Sequence, residues 1–164
     1  KWMTVHLGYR SMNFSSYTLA GHTFLGGGVE LTPSIFRIAA MYGRLSKAIA
    51  YDSARQEPTY ERWGYGLKLG VGKNSDFVDL IFFKAHDLAT SLSLGSQLGV
   101  LPQENLVTAI VASKKIMEHL LISGEYATSA YTRNTTADKN EEDRASLWNY
   151  LPGIYQPNSS AIAH

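Results

Sequence analysis

Glu30, Arg37, Lys68, Asp79 and Glu125 are the residues whose chemistry most needs explaining, because each falls where an alternating segment turns its less apolar side. Glu30, Arg37, Lys68 and Glu125 share one side of their segments, and Asp79 joins them as a fifth. Carboxylates and cations gathered on one face can do two things. Facing a wide aqueous passage they stay solvated and select ions. In a narrow space they must pair, because an unpaired charge is costly to desolvate. The plainer of the two readings is a ladder of ion pairs tying neighbouring strands together.

Other constellations carry less. His86-Asp87, followed by Ser91 and Ser93, has the residue types of a hydrolase, but nothing in the spacing fixes a nucleophile against a base, and the ordinary reading is a solvated loop. The histidines, His6, His22, His86, His119 and His164, lack the i, i+2 or i, i+4 spacing of a zinc site. Gly66 to Lys73, GLKLGVGK, fails as a phosphate loop: Leu67 stands where the first glycine belongs, Asn74 replaces the hydroxyl residue, and a strand follows in place of a helix. No catalytic, cofactor-binding or metal-ligating residue is assigned, and the expectation is a protein that is not an enzyme and has no cofactor.

The elements that position the charges read as β-strands. Tyr60 to Lys84 is the clearest stretch. Trp63, Tyr65, Leu67, Leu69 and Val71 alternate with Arg62, Gly64, Gly66, Lys68, Gly70 and Gly72, and a period of two sends the sets to opposite faces. A soluble strand turns plain polar residues to water; this one turns glycines and cations. Lys73-Asn74-Ser75-Asp76 makes the turn into Phe77 to His86, which is apolar on both faces and implies something packed against its inner side. Thr4 to Phe14, Phe24 to Thr32, Ile35 to Ile49, Asn105 to Lys115 and Leu120 to Arg133 alternate in the same way, although the second half of Ile35 to Ile49 also fits helical spacing. Connections around Pro33, Asn74 and Met117 are short, and those around Tyr17, Ser53, Ser96 and beyond Arg133 are long and polar. Large apolar groups on one face, small and charged ones on the other, and alternating short and long connections are the pattern of a membrane barrel. The expected fold is an all-β antiparallel up-and-down transmembrane barrel segment of about seven or eight strands. Residues 1–133 supply the wall, and 134–164 a polar loop and irregular tail with room for one short strand. So many inward glycines leave voids in a small barrel, which favours a wider or plugged one.

Composition narrows the classes. With 164 residues, 45% hydrophobic and 18% charged, the chain is neither disordered nor too small for a core. A net charge of +1 gives no basic stripe for nucleic acid. The absence of cysteine removes disulfides and thiolate metal sites. No window reaches the roughly 18 apolar residues of a membrane helix, and a mean hydropathy of −0.15 is what alternating strands average to. Lys1-Trp2 opens without a signal pattern, so the expectation is a processed chain or a segment of a longer one.

FLGGGVELTPSIFRIAAMYGRL, YERWGYGLKLGVGKNSDFVDLIFFKAHD and ISGEYATSAYTRN resemble the repeating hairpins of large, mostly uncharacterised outer-membrane β-barrel proteins of Bacteroidota, over about Phe24 to Asn134. The resemblance implies a bacterial outer-membrane location, with membrane lipid and lipopolysaccharide as surroundings. It also implies other outer-membrane or periplasmic subunits as partners, and a role as channel, transport component or scaffold. Asp52-Ser53-Ala54 is similar to the O-glycosylation pattern of those bacteria, whereas Asn13-Phe14-Ser15, Asn134-Thr135-Thr136 and Asn158-Ser159-Ser160 match the N-glycosylation triplet by chance. The alternative is a soluble eight-stranded barrel whose interior binds a small apolar ligand, against which the inward charges and glycines count.

Overall fold

The structure, a computed structural model, describes residues 2–50, 58–92, 99–116, 120–135 and 161–163. The connections around Ser53, Ser96 and Met117, with Asp52-Ser53-Ala54, Ser93, His119, His164 and most of the tail, lie outside the described residues. Eight antiparallel strands follow in chain order: β1 (Met3–Asn13), β2 (Ala20–Leu31), β3 (Phe36–Ser46), β4 (Glu61–Lys73), β5 (Asp76–Leu88), β6 (Glu104–Ile116), β7 (Leu120–Thr132) and a short β8 (Ala161–Ala163). They form one sheet in the order β1-β2-β3-β4-β5-β6-β7-β8, so each strand pairs with its neighbours in sequence. A single 3₁₀ turn, Ala89–Ser91, follows β5. No described helix is long and apolar enough to cross a membrane.

The all-β antiparallel up-and-down order is as expected, and the sheet does not close into a barrel. β8 pairs only at Ala161, Ile162 and Ala163, with Thr132, Tyr131 and Ala130 of β7, and β1 pairs with β2 alone among the described residues. Ile35 to Ile49 is strand throughout its paired length. Leu25 to Leu31 of β2 run in unbroken register with Arg44 to Ile38 of β3, which excludes the helical spacing. The turn between β2 and β3 is tied by the Phe36 amide donating to the Pro33 carbonyl at 3.0 Å. At the β4–β5 turn Asn74 takes φ 51°, a left-handed conformation that asparagine tolerates better than most residues.

Chain contacts group the residues into two compact units. The first comprises Lys1–Leu45, Gly64–Lys84 and Val107–Thr128, and the second Ser46–Trp63, Ala85–Leu106 and Ser129–His164. In the first unit the two faces of the sheet differ sharply. Phe24, Met41, Asp79 and Ile81 are buried, while Leu7, Tyr9, Tyr42, Leu69, Val78 and Ile122 on the opposite face are exposed. Among the described residues no second layer covers Phe24 and Ile81, and in the first unit the sheet's glycine-bearing face curls in under its own side chains.

That curl answers the question of a plug. The space above the glycines is filled by the chain's own side chains. Phe14, at the end of β1, lies flat against Gly66, and Met12 covers Gly28. A Cβ at Gly43 would stand 2.7 Å from Phe24 Cδ2, and one at Gly64 2.8 Å from Leu45 Cδ1, so these glycines are seats for neighbouring side chains. The doubly apolar strand β5 is explained as well. Asp79, Ile81, Phe83 and Ala85 are buried, whereas Val78 and Leu80 are 50% and 38% exposed. Both faces carry apolar groups, but only one is covered.

Candidate functional site: the charged face of the sheet

In the first unit the covered face is organised around Arg37 and Asp79. Arg37 lies on β3 and Asp79 on β5, with β4 between them. Strands two apart are about 9.5 Å from each other, so an arginine can reach across only if the intervening strand presents nothing. β4 presents Gly70 there: a Cβ at this position would overlap Asp79 Oδ1 and lie 2.9 Å from Asp79 Cγ. Across that gap Arg37 Nε donates to Asp79 Oδ1 at 2.8 Å, and Nη2 to Oδ2 at 3.0 Å. This two-pronged geometry is the strongest that an arginine and a carboxylate make. The Asp79 side chain is 3% exposed and that of Arg37 27%. The guanidinium also stacks 4.1 Å from the Phe77 ring centroid.

Lys68, two residues before Gly70 on the same face of β4, joins this group electrostatically: the charges of Asp79, Arg37 and Glu30 all act on it. Its ammonium lies 5.5 Å from the Phe14 ring centroid and 3.4 Å from the Asn13 carbonyl oxygen. Glu30 Oε1 stands 3.5 Å from His6 Nε2. Thr4 and His6 pair with Glu30 and Gly28, which puts His6 on the charged face, a position not assigned from sequence. Of the five sequence-assigned residues, Glu30, Arg37, Lys68 and Asp79 therefore come together. Glu125 stands apart from that pairing and accepts a long 3.4 Å hydrogen bond from the Tyr17 amide.

The second unit holds an ion pair that the sequence reading missed. Arg62 Nε donates to Asp87 Oδ1 at 2.6 Å and Nη2 to Oδ2 at 2.9 Å. The Gln103 amide donates to Asp87 Oδ2 at 3.0 Å, and Gln103 Oε1 accepts from Arg62 Nη2 at 3.3 Å. Asp87 is thus no solvated loop residue beside His86. It lies within β5, 6% exposed, with its oxygens occupied by the guanidinium and an amide. Ser91 donates to the Leu88 carbonyl at 2.6 Å and accepts from the Glu61 amide at 2.9 Å, which ties the 3₁₀ turn to β4 and leaves no nucleophile–base arrangement with His86. The signal was present in the alternation: Arg62 shares a face with Lys68, and Asp87 has the parity of Asp79.

At the β4–β5 turn, outside the alternating apolar rows, the Lys115 amide and the Lys114 ammonium donate to Asp76 at 2.7 and 2.9 Å. Together they hold its carboxyl below the usual carboxylate range. Among the described residues no three His, Asp or Glu side chains gather as metal ligands. What the charged face does chemically is hold strands in place. Asp79 and Asp87 each face a guanidinium, while Glu30 stands against His6 and Glu125 against the Tyr17 amide. No known protein family, characterised protein or solved structure matches this chain.

Proposed function

We propose that this chain is wall-forming sequence of a bacterial outer-membrane β-barrel protein, serving as a scaffold or transport component and catalysing no reaction. One observation carries the reading: in the first unit the exposed face carries rows of large apolar side chains, and the covered face glycines and paired charges. In the first unit Tyr65, Leu67, Leu69 and Val71 of β4 are 38–49% exposed, and Val78, Leu80, Ile110, Ile122 and Tyr126 of the following strands are 38–70% exposed. Together they present on the order of 900 Å² of largely apolar surface, where a soluble monomer normally leaves a patch of a few hundred. At about 25 cal/mol per Å², moving that surface from water into hydrocarbon is favourable by about 20 kcal/mol. Strands of 11 to 13 residues for β1 to β7 also suit a tilted crossing of the bilayer.

The packed covered face supports a scaffold or filled wall over an open channel. It weighs equally against a soluble carrier of an apolar ligand, since Met12, Phe14 and Phe24 occupy the space such a ligand would take. The decisive test is Leu69→Arg. In a bilayer an arginine on the lipid face near the midplane costs about 2–4 kcal/mol, whereas on a water-facing surface it changes stability by about 0.5 kcal/mol or less. The native protein is expected to float with lipid vesicles after an alkaline wash, and the variant to unfold more readily in them. A native protein that stays in the aqueous phase, monomeric, overturns the proposal.

A further inference from the structure

The exposed face of the first unit also carries a cleft of about 440 Å³ between β4, β5, β6 and β7. Val71, Val78 and Ile122 line it with branched side chains, and the small Ala112 and Gly124 give it depth. Its edge is charged. Lys114 and Asp76 border it, and Lys73 lies two residues beyond the lining residue Val71 on β4. Two lysines, one lining the cleft and one next to it along β4, therefore stand against one carboxylate. The Lys114–Asp76 pair, 2.9 Å long with side chains 69% and 46% exposed, is of the solvated kind that contributes little and exchanges partners readily.

A groove that is apolar along its length and cationic at its rim is complementary to a molecule with a hydrocarbon chain and an anionic head. We infer that this cleft docks an anionic diacyl phospholipid from the bilayer, with one acyl chain between Val78 and Ile122 and its phosphate on Lys73 and Lys114. The inference rests on the membrane location proposed above and goes beyond it by naming the lipid class and the residues that select it. The neighbouring apolar rows, Leu67, Leu69 and Leu80, carry no charge of their own, so they accept any acyl chain and discriminate none. At the cleft the lysines add a preference for negative charge, which a polybasic surface segment supplies at about fivefold per lysine.

The test uses the protein in phosphatidylcholine vesicles containing an equal amount of phosphatidylglycerol, with flotation first and native mass spectrometry of retained lipid second. The expected result is preferential retention of phosphatidylglycerol. Replacing Lys73→Gln and Lys114→Gln together should lower the phosphatidylglycerol-to-phosphatidylcholine ratio by about fivefold per lysine. Gly124→Leu should reduce retention of both lipids by filling the groove; a Cβ there meets nothing within 4 Å, so the substitution leaves the strand intact. Floating protein that retains the two lipids equally, or whose ratio is unmoved by the lysine changes, overturns the lipid site and leaves the wall reading standing. Protein that does not float overturns the wall reading itself, and the site with it.

Discussion

Removing Arg37 should cost more than removing Asp79, and the asymmetry follows from exposure. Asp79 has a side chain only 3% exposed, so Arg37→Ala strands a carboxylate where water cannot replace the lost donors. Breaking a buried pair in this way costs about 3–5 kcal/mol. Lys68 also acts on Asp79 and partly compensates, which puts the expected value near the lower end, about 3 kcal/mol. Asp79→Ala leaves Arg37 27% exposed and stacked on Phe77, free to turn toward water, so the loss falls to that of charged hydrogen bonds, about 1.5–3 kcal/mol. Arg37→Met with Asp79→Leu removes both charges and should recover to within about 1 kcal/mol of the native protein. With Arg37→Met and Asp79→Leu also made singly, the cycle is expected to give a coupling of about 2 kcal/mol or more between two residues that are not on adjacent strands. Urea unfolding in micelles, followed by tryptophan fluorescence, measures each corner. An Arg37→Ala cost below about 1 kcal/mol, or the reverse order of the two single variants, would mean that water reaches Asp79 freely, and the reasoning fails.

Three further outcomes are expected from other positions. Gly66→Ala places a methyl group into the Phe14 ring and should destabilise by about 1–3 kcal/mol, with Gly66→Ala/Phe14→Leu recovering part of the loss; unfolding midpoints decide it. Arg62→Lys keeps the charge but loses the two-pronged contact with Asp87, and should cost about 1–2 kcal/mol in the same assay although the exchange is nominally conservative. Asn74→Val, at φ 51°, should cost about 1–2 kcal/mol while Asn74→Gly stays near neutral, and equal effects of the two would refute a left-handed turn at that residue.

How much of this was legible beforehand differs from strand to strand, for physical reasons. β4 could be read outright because its two faces differ in size as well as polarity, rings and branched chains against glycines, so only one phase of the alternation is possible. β5 could be placed but not oriented. Val78, Leu80 and Phe82 are as apolar as Phe77, Ile81 and Phe83, and the covered side is the one that Arg37 reaches from β3. The Arg37–Asp79 pair was legible as two charges on one face but not as a contact, since pairing across a strand depends on the absence of a side chain at Gly70. Arg62–Asp87 escaped because Asp87 sits next to His86, and adjacency in sequence drew attention from the alternation that places the two on opposite faces. Closure could not be read at all: even spacing of strands says nothing about whether the first and last of them meet.

The charges also answer a problem that the glycines create. A strand with so little on one face has weakly specified register, because sliding it exposes or buries almost nothing there. Buried ion pairs are seldom retained for stability, since apolar replacements of the same volume often do as well. Arg37 and Asp79, however, meet only where β4 offers Gly70 beneath them. A slip of one residue would bring Leu69 or Val71 to that point with its side chain on the wrong face. A slip of two in one direction would bring Lys68, a bulky side chain and a second cation beside the guanidinium. The pair thus disfavours slips of one residue and the two-residue slip toward Lys68, and the glycines that loosen the register are the feature that allows the pair to form. Two charges that add little net stability can still decide which of several nearly equal sheets the chain adopts.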